Sequence, residues 1–348
     1  MKKQVIAILL VLALCAALVG CGSGQSAPAA SSGGDAAEKV TIQVHMALST
    51  EHPSYKRMEA FAARANELAN NTFEFKIYPN STLGDYTVVT EELIRGTVAM
   101  MVDSVNTGID SRFDLTFTPY LCTSMEDAAN VFGPGGFVYE KDKEMLAENQ
   151  IHLLGFDMLG MGGMELGSNC PEHPCALGGG EGLQVRSPGN EHLRVLLSEL
   201  GYNPISLNYS DIYTSMQTGV VEGFIGADAQ SALDQFKDVI SYHLALDMCA
   251  ACQYIAFSET VWQSLSAEQQ SALETAAEEM FAQSITDSIA SDSEIYGKME
   301  AAGIQVIYPT DEEMSAIVEM ARTKAWPAAK DRLGDELYNA LMEEYGVA

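Results

Sequence analysis

Positive charge is scarce in this 348-residue chain: 19 Lys and Arg stand against 48 Asp and Glu, a formal balance of −29. That deficit excludes nucleic acid as a partner, because binding there depends on Lys and Arg neutralising phosphates. It implies solubility and repulsion from anionic surfaces, and nothing about fold. Catalytic signatures are missing too. There is no G-x-S-x-G elbow, no P-loop, no H-E-x-x-H and no glycine fingerprint of a dinucleotide fold. The six His are scattered, and His45, alternating with apolar strand positions, reads as partly solvated. Acids are so many that no pair stands out as an acid–base couple. No catalytic residue, cofactor or metal is therefore expected. No internal repeat is evident, and no comfortable membrane span either. The longest apolar run, Val5 to Val19, falls short of the ~20 residues a spanning helix needs.

That run belongs to a targeting segment, residues 1–20. Lys2 and Lys3 precede it, and Leu18-Val19-Gly20-Cys21 has the form of a bacterial lipoprotein cleavage box. Cys21 would take the lipid and tether the mature protein to the outer face of a membrane. Removing the segment removes two Lys and no acids, taking the balance from −29 to −31. Residues 21–37 are small, with Pro and Ser, and read as a flexible tether.

The remaining residues suffice for two domains with separate cores. Val40, Ile42, Val44 and Met46 alternate as in a half-buried strand. A helix face follows at Tyr55, Met58, Ala62, Ala65 and Leu68, then an alternating strand at Phe73, Phe75 and Ile77. Tyr86 to Arg95 is helical, Gly96 ends it, and Met100-Met101-Val102 is a short buried strand. This order implies a largely parallel sheet with helices on both faces. Polar side chains in the turns after the first and third strands, Glu51 and Asn106, join the binding candidates. Ser266 to Gln269 is a capping box opening a helix that runs to Gly303, about 50 Å at 1.5 Å per residue. Such a helix either bridges two lobes or breaks into two near Ser291 or Gly297.

Residues 182–223 organise the rest. Leu183, Val185 and Arg186 form a short strand ending at Ser187-Pro188-Gly189. Asn190 can cap a helix with Leu193, Leu196, Leu197 and Leu200 on one face, and Gly201 stops it. Pro204 to Leu207 is a second strand. Ser210 or Asp211 caps a second helix, which Gly219 closes. Open α/β sheets bind ligands outside the carboxyl ends of their strands. Arg186 lies at such an end, where a guanidinium can fork a carboxylate. An internal salt bridge is the competing reading. Tyr209, at the end of the next strand, offers an aromatic wall or a core residue.

The chain here resembles the solute-binding proteins of TRAP-type (DctP-like) transporters. The family's G-x-x-x-R-x-P run matches Gly182 to Pro188. Its aromatic–x–E–x–Y–x–x–x–Q–x–G–V–V–D–G signature matches Tyr209, Asp211, Tyr213, Gln217 and Gly219 to Gly223, with Glu and Asp exchanged twice. His52-Pro53, Pro79-Asn80, Leu83-Gly84, Gly96-Thr97 and Phe117 to Leu121 extend the resemblance over the mature chain.

The resemblance implies an α/β, periplasmic-binding-protein-like fold, with two α/β lobes, a hinge and a long lobe-bridging helix. Lobe I is expected at 38–160 plus 250–295, and lobe II at 161–249 plus 296–348. Leu159 to Gly163 could carry the chain across the hinge. The implied function is an extracytoplasmic receptor that passes a small organic acid or zwitterionic solute to TRAP membrane subunits, touching the membrane through its lipid anchor only. Arg186 would anchor a ligand carboxylate. Glu165 stands where many relatives carry a second Arg, and would face a ligand ammonium or hydroxyl. Asp228 follows Gly223-Phe224-Ile225-Gly226, where the family has G-x-x-N. A binding protein for an ATP-driven transporter or a sensor kinase would share these features.

Five cysteines lie beyond the signal and Cys21. Cys122 reads as a buried thiol in an apolar strand. Cys170, Cys175, Cys249 and Cys252 would form two disulfides in an extracytoplasmic protein, with three possible connectivities. A zinc site adding His173, or a C-x-x-C redox centre, would instead make the chain an enzyme or metal protein.

Overall fold

The computed structural model describes residues 39–347. The targeting segment, the tether and Cys21 therefore lie outside the described residues. The chain begins with β1 (Val40–Met46), α1 (Pro53–Leu68), β2 (Phe73–Tyr78), α2 (Tyr86–Arg95) and β3 (Met100–Asp103). A 3-10 turn (Ser111–Phe117), α3 (Met125–Phe132) and α4 (Phe137–Glu148) lead to β4 (Ile151–Leu166). Next come β5 (Gln184–Ser187), α5 (Glu191–Glu199), β6 (Asn203–Ser206), α6 (Ile212–Thr218), β7 (Gly223–Asp228), α7 (Ala229–Phe236) and β8 (Tyr242–Ser258). The last elements are α8 (Glu259–Trp262), α9 (Ala267–Ala301), β9 (Gln305–Ile307), α10 (Asp311–Met320), α11 (Trp326–Ala328) and α12 (Lys330–Glu344).

Local chemistry sets the boundaries. Alternation buries Ile42, Val44 and Met46. Pro53 opens α1, where its missing N–H costs nothing, and the His52 ring accepts from the Ser54 N–H at 3.1 Å. Asp85 caps α2, and Gly96 ends it at φ +77. Ser266 and Gln269 cap each other at the start of α9, which is one helix of 35 residues rather than two. Two expected caps are absent: Asn190 and Asp211 make no capping bond. Asn190 instead donates to Asp114 at 2.7 Å.

The strands form one sheet in the order β2-β1-β3-β8-β4-β7-β5-β6, with β9 added to β8. β1 pairs in parallel with β2 and β3, and β5 with β6 and β7. The whole sheet is mixed, because β4 and β8 enter antiparallel between these two ends. These two strands run through both lobes. Their register shifts at Leu153/Gly155, Met158/Gly160 and Gly162/Met164, and such bulges bend and twist a pair. The Gly-rich run from Leu159 to Gly163 is thus bulged strand, with Gly160 at φ +131.

The cores follow the two ends of the sheet. Met58, Phe61, Phe73 and Phe257 pack with Leu273, Ala276 and Met280 of α9. Phe224 and Phe236 pack with Ile295 and Met299, further along the same helix. α9 therefore bridges the lobes. The C-terminal segment departs from the expected boundary. Trp326, Leu333, Leu337 and Leu341 sit in a cluster with Phe113, Phe132 and Phe156, on the first lobe. The Trp326 indole donates to the Pro119 carbonyl at 2.8 Å. Arg57 of α1 ties to β4: it is 7% exposed, and its Nε donates to the fully buried Asp157 at 2.7 Å.

Candidate ligand-binding site

A cavity of about 430 Å³ lies at the carboxyl ends of the parallel strands. Ala47 and Leu48 after β1, Asp103 and Ser104 at the end of β3, and Asp85 and Tyr86 at the head of α2 form one wall. Arg186 near the end of β5, Pro188 just after it, Tyr209 after β6, and Gly226 to Asp228 of β7 form the other. β8, from Met248 to Tyr254, crosses between them.

Arg186 is 2% exposed. Its Nε donates to the Leu207 carbonyl and its Nη1 to the Ile225 carbonyl, each at 2.9 Å. Gly226 makes room: a Cβ there would stand 3.0 Å from Nη1, at a φ of +99 that a side chain resists. No carboxylate of the described residues pairs with Arg186, so the internal salt bridge weighed from the sequence does not form. Burial holds the guanidinium down at about 10, with only partial relief from Tyr86, Tyr209 and Asp85. A buried cation with an unused N–H pair is an anion site.

Tyr209 packs edge-on against Phe236, and the Arg186 guanidinium lies 5.9 Å from its ring centre. Burial, then the Asp228 charge, push its hydroxyl up, so it stays a hydrogen-bond donor. Asp228 is 2% exposed and caps α7, its Oδ1 accepting from Gln230 and Ser231 N–H at 3.0 and 3.1 Å. Burial raises its carboxyl, but His52 and Ser231 outweigh that and hold it low. His52 Nε2 lies 3.8 Å from Asp228 and 3.5 Å from the Ser231 hydroxyl. The Ser210 hydroxyl donates to Asp85 at 3.2 Å. The two walls thus touch at the rim of the cavity.

Three expected site residues lie elsewhere. Glu165 does not line the cavity. It is 0% exposed and accepts from His243 Nδ1 at 3.0 Å, because Glu165 and His243 are register partners across β4 and β8. Gly163 clears space for that ring: a Cβ there would come within 2.5 Å of it. Glu51 is exposed on the turn before α1, where the Thr50 hydroxyl donates to it. Asn106 is spent on neighbouring backbone, donating to the Thr87 carbonyl of α2 and accepting from the Gly108 N–H of its own loop.

The cysteine readings also change. All five cysteines of the described residues are free thiols. Cys249 and Cys252 are three apart on one strand, so their Cα atoms stand about 10 Å apart, beyond the ~7 Å a disulfide spans. Both line the cavity. Cys122 is a buried thiol, as expected, but it lies in the loop before α3. Burial pushes Cys122 and Cys175 up to about 12, which suits neither metal ligation nor nucleophilic chemistry. No group of three metal-type ligands occurs among the described residues.

Sequence reasoning passed over Asp103 and Gln253. Asp103, 5% exposed, accepts from the fully buried His45 Nε2 at 2.9 Å. His45 is not solvated, because β1 lies between β2 and β3 and is covered on both faces. The available signal was a polar residue at the carboxyl end of a buried strand. Gln253 lies mid-strand with no local signal.

Comparison with known proteins gives a consistent picture. Residues 44–330 match the model of the bacterial extracellular solute-binding proteins, family 7 (DctP). A solute-binding protein of Chromohalobacter salexigens is 25% identical, over 66% of this chain and 67% of its own length. The sialic acid-binding periplasmic protein of Vibrio cholerae is 21% identical, over 77% and 83%. Among solved structures, a TRAP periplasmic solute-binding protein of Desulfovibrio salexigens with bound orotic acid superposes at TM-score 0.80, with 20% identity, over 88% of this chain and 99% of that one. One from Haemophilus influenzae with bound L-gulonate gives 0.77 and 19%, with the same coverage.

Proposed function

The chain belongs to family 7 of the bacterial extracellular solute-binding proteins, and from that premise we propose that it captures a small carboxylate in the interlobe cavity and hands it to TRAP membrane subunits. The family is one of receptors rather than enzymes. The observation that carries the ligand class is Arg186, a buried guanidinium that lines the cavity and has no counter-ion among the described residues. Tyr209 and Tyr86 flank it as phenol donors. The ligands named for similar structures, orotic acid and L-gulonate, each carry a carboxyl group. A lipid on Cys21 would hold the receptor at the outer face of the cell membrane, with residues 21–37 as its leash.

A thermal-shift screen of small carboxylates tests this reading. A ligand at a hundredfold excess over Kd adds about 2.7 kcal/mol, or roughly 5 °C at this size. At least one acid should give such a shift, and its uncharged amide should not. If no acid shifts the melting point and none copurifies, the receptor reading fails.

A further inference from the structure

Arg186 is outnumbered in its own cavity. Asp85, Asp103 and Asp228 line the same space, so the wall carries three carboxylates against one guanidinium. Two of the three acids have a histidine neighbour, His45 Nε2 at 2.9 Å from Asp103 and His52 Nε2 at 3.8 Å from Asp228, whereas Asp85 has no ion-pair partner among the described residues. A ligand bearing only carboxylate would add a further negative charge to this surface, at low dielectric, where like charges repel most.

Two further observations point to a donor on the ligand. Gln253 is 5% exposed, lines the cavity, and its Oε1 has no hydrogen-bond partner. Asp228 spends Oδ1 on the Gln230 and Ser231 N–H groups, and its carboxylate lines the same cavity. The unmet Gln253 Oε1 is costly while buried, and a ligand N–H removes the cost. Hydroxyls could satisfy that acceptor, but they would leave the charge imbalance. The opposite poles share one cavity of about 430 Å³, lined by Arg186, Asp103 and Asp228 together.

We infer that the solute carries a protonated amine as well as its carboxylate, with Arg186 taking the carboxylate and Asp103 with Asp228 taking the ammonium. This inference rests on the receptor reading above. It assigns Asp103 and Asp228 as specificity-determining residues and makes the ligand an amino acid or a similar amino-carboxylate. Burial already pushes Asp103 above the usual carboxylate range despite the His45 bond, and a bound ammonium would reverse that.

The test uses matched pairs that differ only at the α-substituent: alanine and lactate, glutamate and 2-hydroxyglutarate, leucine and 2-hydroxyisocaproate, phenylalanine and phenyllactate. Thermal shift ranks them, and calorimetry measures the best pair on wild type, Asp103→Asn and Asp228→Asn. The amine member should bind about tenfold or more tightly than its hydroxy partner, and Asp103→Asn should close that gap from both sides, weakening the amine and tightening the hydroxy acid. Selectivity for the amine that survives both substitutions overturns the assignment of the acids. Binding of hydroxy acids in preference to amines overturns the inference but leaves the receptor reading intact. Failure of the whole panel together with the broader carboxylate screen overturns both.

Discussion

Two arginines of the described residues are buried, and replacing each by Met should have opposite effects. Arg57 is paired: Asp157 accepts from its Nε at 2.7 Å and from the Ser54 hydroxyl at 2.5 Å. Arg57→Met leaves a fully buried carboxylate without its cation, which costs about 3–5 kcal/mol, a fall of roughly 10 °C. Arg186 has only two backbone carbonyls. A pKa held at about 10 means that the site as a whole costs the charged form about 3 kcal/mol, burial outweighing the relief from its neighbours. Removing two hydrogen bonds costs about 1 kcal/mol each, so Arg186→Met should leave the ligand-free protein as stable as wild type, or more so. Binding should collapse: losing one partner of a buried charge pair costs about 2–5 kcal/mol, roughly thirtyfold to several thousandfold in Kd. Differential scanning fluorimetry of the ligand-free variants gives the first half, and titration calorimetry with the best carboxylate of the screen gives the second. The reasoning is refuted if Arg186→Met destabilises the ligand-free protein as Arg57→Met does, or if its affinity stays within threefold of wild type.

Two other outcomes follow from the described residues. Asp142 is fully buried, accepts from Tyr254 and Thr116, both at the cavity wall, and burial lifts its carboxyl to about 7. Its unfolded form titrates near 4, so between about pH 4 and 7 only the folded state holds this proton, and its contribution to stability falls as pH rises. Asp142→Asn should therefore match wild type near pH 4 and melt higher at pH 8; a constant difference across pH would contradict the assignment. Thiol titration of the mature protein, denatured without reductant, should count all five thiols from Cys122 to Cys252; a count of one or three would restore disulfides.

Local signals made much of the fold legible. Alternation located β1 and β2, capping residues located α2 and α9, and glycines at φ +88 and +72 ended α5 and α6 at Gly201 and Gly219. Arg186 was legible because a strand end and a scarce charge coincide there. What escaped is non-local. Asp103 meets His45 across 58 positions, and Glu165 meets His243 across 78. β8 carries small buried residues without alternation, so its Cys-Ala-Ala-Cys run suggested cysteine chemistry rather than a strand. The C-terminal segment returns to the first lobe through Trp326, which docks on a carbonyl 207 positions earlier. No periodicity encodes such a return.

The most direct measurement is a crystal structure of the protein with the carboxylate that gives the largest thermal shift. The ligand should lie in the cavity between Tyr86 and Tyr209, with a carboxylate oxygen about 2.7–2.9 Å from the Arg186 guanidinium. A ligand bound with its carboxylate turned away from Arg186, or outside this cavity, would contradict the central claim.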